Sequence, residues 1–168
     1  IQSKILKSIL VKGIFQLPEG MNGGITGKSI IDNASIHIEK ECIGVIDIKD
    51  CFPNTSNLQI YQVWRNYFGC GNSTSRILTK LTTFQGRLPQ GAPTSPLLCN
   101  YALASMFSTI KKSARMHNLD ISIFIDDITV SGKQKAVEKA VEYIVKILLQ
   151  NKYAVRKRKV KVITSGYS

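Results

Sequence analysis

The sequence predicts an α+β domain in which a small antiparallel sheet carries helices on one face. Three observations support this fold class. The 168 residues are 43% hydrophobic and only 20% charged, which suits one globular domain with a substantial core. Several stretches place apolar residues at helical spacing. Short β-branched runs bounded by turn residues lie between them, as is typical of a sheet packed against helices.

The N-terminal half is predicted to be mainly helical. Apolar residues recur at helical spacing in Ile1–Leu10 with lysines between them, so this segment should form an amphipathic helix with a basic outer face. Proline and glycines then indicate an irregular loop. In chain order we expect a helix over Ile1–Leu10, a loop over Pro18–Gly27, a short helix over Lys28–Ile38, a buried strand over Ile43–Ile48, and helices over Asn57–Tyr67 and Ser75–Phe84.

The C-terminal half is predicted to place a β-hairpin between two long helices. Only Asp126 and Asp127 separate two β-branched runs, which is the layout of a tight hairpin. Basic and apolar residues alternate near the end of the chain, as in a strand or a pair of strands. We expect a helix from about Pro96 to His117, strands over Ile121–Ile125 and Ile128–Val130, a helix over Val137–Leu149, and one or two strands over Tyr153–Thr164.

The net charge indicates a polyanionic partner. The chain has 23 Lys and Arg against 11 Asp and Glu, a formal charge of +12, which favours binding through phosphate contacts. Nucleic acid is the first candidate and an anionic membrane surface is the second. No apolar run approaches the roughly 18–20 residues that span a bilayer, so we expect no membrane segment.

The cysteines and the first residue bear on cellular context. Cys42, Cys51, Cys70 and Cys99 lie far apart with no C-x-x-C pair, so they indicate neither a zinc site nor a disulfide framework. A reducing cytoplasm is the expected location, and no signal peptide is found. The chain begins with Ile1 rather than Met. We therefore treat it as a possible fragment.

Acidic side chains occupy strand positions that should be apolar. Asp47 lies within Val45–Ile48, and Asp126 and Asp127 directly follow Ile123–Ile125. Carboxylates at partly buried sites need compensation, and two adjacent aspartates in a hairpin turn suit a divalent cation. Oxygen-only ligands favour Mg²⁺ or Mn²⁺, and two such ions can support phosphoryl transfer. On the Asp pair alone, an ordinary acidic turn is the simpler interpretation.

Three motifs, in this order, resemble those of the reverse transcriptase family, and within it the bacterial retron-type enzymes. Val45–Pro53 (VIDIKDCFP) resembles the first catalytic palm motif, Leu88–Pro96 (LPQGAPTSP) the loop that positions template and nucleotide, and Phe124–Asp127 (FIDD) the aromatic-x-Asp-Asp motif. Asn33–His37 (NASIH) is similar to a shorter retron-type signature. The resemblance covers essentially the whole chain. It implies a polymerase palm with part of the fingers over residues 1–168, with further N-terminal finger residues and a C-terminal thumb missing.

The resemblance also implies roles for the acidic residues and for one aromatic residue. Asp47 and Asp126 would be the principal metal ligands, with Asp127 beside them at the primer end. Phe52, five residues after Asp47, would occupy the steric-gate position and exclude a ribose 2′-OH. The alternative for Phe52 is an ordinary core aromatic.

Two further positions follow from the same resemblance. Gln90 and Gly91 would lie against the incoming nucleotide and the template, since Gly permits close backbone approach and Gln offers donors and an acceptor. Lys159 falls where the family places a lysine that protonates the leaving pyrophosphate. Lys157 would serve almost as well, and a basic strand that grips phosphates is an equal alternative.

The function implied by the resemblance is RNA-directed DNA synthesis. Mg²⁺, or Mn²⁺, would be the cofactor, and an RNA template, an RNA–DNA hybrid and deoxynucleoside triphosphates the partners. A group II intron or abortive-infection type enzyme is the nearest alternative, and a catalytically silent RNA-binding module is another. Three retained aspartates disfavour the silent module. Phe52 and the absence of a Gly before the Asp pair disfavour an RNA-dependent RNA polymerase.

Three other features receive plainer interpretations. The segment Gly23–Ser29 resembles a phosphate-binding loop, but residue 22 is Asn rather than Gly and no strand precedes it, so we reject that interpretation. His37 is expected to bond to backbone at a helix end, with an ordering role near the active site as the alternative. His117 is expected to be a polar residue at a helix C-terminus.

Overall fold

The computed structural model describes residues 1–164 and confirms the α+β class. Within that range it contains seven α-helices and a five-stranded antiparallel sheet. The helices are α1 (Gln2–Ile5), α2 (Ile30–Ser35), α3 (Cys51–Asn54), α4 (Asn57–Asn66), α5 (Asn72–Thr82), α6 (Ser95–Met116) and α7 (Gln134–Gln150). The strands are β1 (Cys42–Lys49), β2 (Asp120–Phe124), β3 (Asp127–Gly132), β4 (Ala154–Val155) and β5 (Lys161–Thr164).

The central strand of the sheet is β1. It pairs with β3 along one edge and with both β4 and β5 along the other, while β2 lies outside β3. A 3₁₀ turn over Lys157–Lys159 separates β4 from β5. The segment predicted as one or two strands is therefore two short strands joined by a turn, both on the same edge of β1.

The two faces of the sheet have different neighbours. A Cβ added at Gly44 would lie 2.6 Å from the Val141 side chain, so α7 packs directly over this part of β1. Successive side chains of a strand point to opposite faces. Asp47 is an odd number of residues from Gly44, and it therefore lies on the face away from α7. This arrangement leaves the Asp47 face for the site described below.

The core is built around α6. Its 22 residues include Leu98, Leu103 and Phe107, all completely buried. The helix contacts α4, α7 and β2. Its bounds agree with the predicted helix from about Pro96 to His117. The prediction was possible because apolar residues on more than one face of a long segment indicate a buried central helix.

The N-terminal segment differs from the single predicted helix. Only α1 is regular; the chain continues as a wider π-type turn over Leu6–Leu10 and a 3₁₀ helix over Val11–Gln16. The Tyr101 hydroxyl donates to the Leu10 carbonyl at 3.0 Å. A Cβ at Gly13 would lie 2.6 Å from that same hydroxyl. The close crossing over α6 accompanies the irregular geometry, and the apolar spacing alone gives no sign of it.

The structure also bears on a membrane location. No helix within residues 1–164 is both long and apolar enough to cross a bilayer.

Candidate active site

The strand register brings three aspartates to one end of the sheet. Asp47 is the direct partner of Asp127 in the antiparallel pair of β1 and β3. The backbone N–H of Ile48 donates to the carbonyl of Asp126 at 2.8 Å. Side chains of directly paired residues lie on the same face, so Asp47 and Asp127 both project from the face away from α7.

The turn between β2 and β3 is strained. Ile125 has a φ of 61°, in the left-handed region that β-branched residues rarely adopt. A Cβ at Gly23 would lie 2.3 Å from the Ile125 nitrogen, so Gly23 packs directly against the turn. The Asn100 side chain donates to the Gly23 carbonyl at 2.7 Å. These two residues support the turn that carries Asp126. The sequence analysis gave neither a role, although the run of glycines was an available sign of close approach.

Two basic side chains compensate the buried charge of Asp47, whose side chain is only 2% exposed. Lys159 Nζ donates to Asp47 Oδ2 at 2.6 Å, and Arg156 Nε lies 3.3 Å from Oδ1. Arg156 also contacts Asp50 Oδ1 at 3.1 Å and donates its backbone N–H to the Asp47 carbonyl. The sequence predicted Lys159 as a site residue within a basic strand, but it did not predict that Lys159 and Arg156 pair with Asp47. The cluster of basic residues after β4 was the only signal for it.

The other two aspartates have raised pKa values. Burial raises the pKa of Asp126, and the nearby charge of Asp47 adds to this effect. Burial also raises the pKa of Asp127, followed by the charges of Asp126 and Asp47. Mutually repelling carboxylates of this kind gain from a cation placed between them.

The donor chemistry of the site fits a divalent cation. Carboxylate oxygens are preferred by Mg²⁺, and Asp47 Oδ1 is buried without a hydrogen bond, since the Arg156 contact is not aligned as one. Among the described residues, however, no group of three or more His, Cys, Asp or Glu side chains is arranged as a metal site. The metal assignments of Asp47, Asp126 and Asp127 therefore stay predictions.

Phe52 lies on α3, directly after the end of β1. Asp50, with a φ of 49°, turns the chain from the strand into the helix. The Phe52 ring is half-buried and packs against the core. This placement is compatible with a steric gate and with a core aromatic, so the gate stays a prediction.

A pair of thiols joins α3 to α6. The sulfur atoms of Cys51 and Cys99 are 3.1 Å apart, and the structure records all four cysteines as free. The hydrogen bond with Cys99 and burial both raise the pKa of the Cys51 thiol. Both thiols are buried, and they serve as packing groups. Spacing along the chain gave no indication of this contact.

The predicted nucleotide loop, Leu88–Pro96, begins in space beside the C-terminal end of α3. The N–H of Leu88 donates to the Thr55 carbonyl at 3.1 Å, and Ser95 Oγ donates to the Pro89 carbonyl at 2.6 Å. Gln90 and Gly91 between these anchors are exposed, and Gly91 has a φ of 80° with no atom within 4 Å of a would-be Cβ. The loop is fixed at its ends and open in its middle. The roles of Gln90 and Gly91 stay predictions.

The two histidines have different outcomes. His37 is buried, and its ring nitrogens lie 2.8 Å from Ser122 Oγ on β2 and 2.7 Å from Ser131 Oγ on β3. The expected bond to helix-end backbone is therefore wrong: the ring joins the two strands of the hairpin instead. Burial lowers the pKa of His37. His117 lies at the C-terminal cap of α6, as expected, with its ring near the Ser113 carbonyl.

Comparisons with known proteins agree with the motifs. The sequence model of the family described as "Reverse transcriptase (RNA-dependent DNA polymerase)" matches residues 1–167. The chain is 26% identical over 148 residues to the Retron Se72 reverse transcriptase of Salmonella heidelberg (strain 579083-10), covering 88% of this chain and 38% of that protein. It is 33% identical over 122 residues to the Retron Ec86 reverse transcriptase of Escherichia coli, covering 72% and 38%.

The chain spans less than half the length of these relatives. Among solved structures, an apo telomerase from Candida tropicalis, truncated from its C-terminal domain, superposes with a TM-score of 0.73 at 11% identity, covering all of this chain and 41% of the telomerase chain. At that identity the superposition supports the fold alone.

Proposed function

The chain belongs to the reverse transcriptase family, and from this premise we propose that it is the catalytic palm of an RNA-directed DNA polymerase that extends a primer on an RNA template. The observation that carries the proposal is the register of β1 and β3, which sets Asp47 opposite Asp127 with Asp126 in the adjoining turn. Carboxylates at this density on one sheet face are costly unless a cation joins them.

Asp47, Asp126 and Asp127 would hold Mg²⁺ or Mn²⁺. When bound, the ions would stabilise the charges that develop during phosphoryl transfer. The protein's own contribution is positioning. Gly23 and Asn100 hold the strained turn in place, and the β1–β3 pair fixes the spacing of the aspartates. Preorganisation of this kind reduces the reorganisation required during the reaction.

Three residues are proposed to select and hold the nucleotide. The half-buried ring of Phe52 at the end of β1 would exclude a 2′-OH. The exposed backbone and side chain at Gln90 and Gly91 would contact the incoming nucleotide and the template. The left-handed φ of Gly91 supports this role, because only glycine adopts it without strain and leaves the backbone open to close approach.

Lys159 is proposed as the proton donor to pyrophosphate. Its hydrogen bond to Asp47 raises the pKa of its amine, so the protonated form is the one held beside the carboxylates. In the structure this amine is bound to Asp47, so it must leave the carboxylate before it can reach a phosphate. Arg156 would also contact phosphates once it is released from Asp47. This is the alternative in which the basic strand binds the phosphate backbone.

One observation favours the second candidate, a silent RNA-binding module. The two basic side chains, Lys159 and Arg156, contact Asp47 at the position where a metal ion would bind. In this alternative the aspartates serve only as partners of the basic segment, and the chain binds RNA without catalysis.

Primer extension separates the two candidates. The chain, joined to the finger and thumb segments that the family resemblance implies, is incubated with a primed RNA template, deoxynucleoside triphosphates and either Mg²⁺ or Mn²⁺, beside Asp126→Asn and the matched control Asp120→Asn. We expect DNA synthesis in the unmodified chain and in Asp120→Asn, and none in Asp126→Asn. Synthesis that persists in Asp126→Asn contradicts the assignment. No synthesis with either metal favours the silent module.

A further inference from the structure

A tight turn projects an aromatic and a basic side chain beside the predicted nucleotide loop. The N–H of Phe84 donates to the Arg87 carbonyl at 2.8 Å and the N–H of Arg87 donates back to Phe84 at 3.1 Å. Gln85 and Gly86 between them have φ values of 49° and 77°. Positive φ at both central positions identifies a type I′ turn.

The turn is anchored to the body of the protein. The N–H of Asn57 donates to the Gly86 carbonyl at 2.8 Å, and Arg87 forms a bridge with Ser56. The next residue, Leu88, is buried and hydrogen-bonded to Thr55. The side chains on the turn are therefore presented from a fixed base, although the turn itself lies on the surface.

Phe84 has no place in the core. Its side chain is 67% exposed, and Arg87 beside it is exposed as well. An apolar ring left this exposed forgoes much of the stabilisation that its burial would give. A flat apolar ring next to a guanidinium is suited to stacking on a nucleobase while the cation meets the phosphate.

A surface groove lies beside this turn. It has a volume of about 400 Å³, and its lining includes Phe84, Arg87, Pro53, Pro89 and Gln90. Pro53 directly follows the predicted gate Phe52, and Gln90 belongs to the predicted nucleotide loop. The groove therefore adjoins residues that the sequence predicts to contact the nucleotide and the template.

We propose that Phe84 and Arg87 form a binding site for one unpaired base and its phosphate in single-stranded RNA, beside the predicted nucleotide loop. This inference rests on the proposed function and adds a subsite to it. The formal charge of +12 favours a polyanion as the occupant over a partner protein with few acidic residues. A protein partner would instead cover the exposed apolar residues Ile77 and Leu81 of α5 together with Phe84.

The test is equilibrium binding of a fluorescent single-stranded RNA to the chain, measured by anisotropy over a series of salt concentrations. We expect Phe84→Ala to weaken binding on the order of tenfold at every salt concentration, because stacking on one base is lost. Phe84→Trp should retain binding. Arg87→Gln should lower the slope of log affinity against log salt concentration by about 0.7, the change expected for one lost phosphate contact on a single strand. Ile77→Ala, which removes an equally exposed apolar side chain outside the groove, should bind as the unmodified chain does.

Several outcomes overturn the proposal. Unchanged binding by Phe84→Ala, with a thermal unfolding curve like that of the unmodified chain, shows that no base stacks on this ring. Equal weakening by Phe84→Ala and Ile77→Ala identifies a general apolar surface of the kind a protein partner covers. In both cases RNA binding by the unmodified chain leaves the proposed function standing. An unmodified chain that does not bind RNA at low salt contradicts both proposals.

Discussion

The electrostatics of single residues at the sheet end depend on how Asp47 is compensated. Its side chain is 2% exposed, whereas Lys159 and Arg156 are 56% and 44% exposed. Removing one partner of a buried charge costs about 3–5 kcal/mol, because the remaining charge stays desolvated. Lys159 and Arg156 are themselves partly solvated, so they can move into water if another cation takes their place beside Asp47. A metal ion that binds Asp47 must compete with Lys159 and Arg156, and it can displace them without disturbing the core.

The gate prediction is tested by Phe52→Val. If the ring blocks a 2′-OH, removing it should raise ribonucleotide incorporation far more than it lowers deoxynucleotide use, which is measured by primer extension with each substrate. A purely core role predicts destabilisation of up to about 3–5 kcal/mol and equal loss with both substrates. Phe68→Val, another half-buried aromatic packed on the core, is the control for general destabilisation. Unchanged sugar selectivity in Phe52→Val counts against the gate.

The buried His37 predicts a dependence of stability on pH. Burial lowers its pKa below the ordinary value of 6.5. As the pH falls below about 6.5, the unfolded chain binds a proton that the folded chain does not, so the free energy of unfolding decreases by up to about 1.4 kcal/mol per pH unit. Above that pH the group contributes no slope.

Urea unfolding at pH 5 to 8 measures this effect. His37→Gln keeps hydrogen-bonding groups near Ser122 and Ser131 but cannot titrate, so its stability should vary less between pH 5 and 6.5 than that of the unmodified chain. The other titrating groups are common to both proteins. Identical pH profiles would show that His37 is not held neutral by burial.

Secondary-structure elements show which parts of the fold are encoded locally. The hairpin of β2 and β3 and the helices α4, α6 and α7 follow from periodicity and turn residues, so the sequence predicted them to within a few residues. The first helix was not predicted correctly, because its irregularity accompanies a crossing over Tyr101 far away in sequence. The positions of Asp47, Asp126 and Asp127 were predicted because charge in a strand is conspicuous. Arg156 and Asn100 were missed because their partners are known only in the folded chain.

The loop before α2 is expected to be essential for the position of the hairpin turn. A methyl group at Gly23 would lie 2.3 Å from the Ile125 nitrogen and 2.8 Å from the Phe124 carbonyl carbon. Backbone atoms cannot rotate away, so Gly23→Ala should destabilise the protein by about 1–3 kcal/mol in urea unfolding. It should also shift the amide resonances of residues 125–127.

The matched control is Gly71→Ala. No atom lies within 4 Å of the corresponding Cβ, and the residue precedes α5. Only a capping preference changes there, so the cost should stay below about 1 kcal/mol and the hairpin resonances should not move. Equal effects of the two substitutions would mean that Gly23 does not support the turn.

The whole molecule has a formal net charge of +12, and we expect it to bind RNA through phosphates. Lys157 and Arg158 lie in the exposed turn between β4 and β5. Replacing both with Gln should make the salt dependence of RNA binding less steep by about 0.7 per lost contact, since fewer counterions are released. Asp126→Asn should leave binding intact or slightly stronger. A salt dependence that does not change in the Lys157/Arg158 variant would place the RNA elsewhere on the surface.

The most direct test of the central claim is Mn²⁺ titration of the chain followed by paramagnetic broadening of its amide resonances. If Mn²⁺ binds the three aspartates, broadening should begin at residues 46–48 and 126–128. It should be retained in Asp120→Asn and lost in Asp47→Asn and Asp127→Asn. Broadening that begins at another acidic site, such as Glu138 and Glu142 on α7, or that is unchanged in Asp47→Asn, would contradict the assignment of this sheet end as the metal-dependent active site.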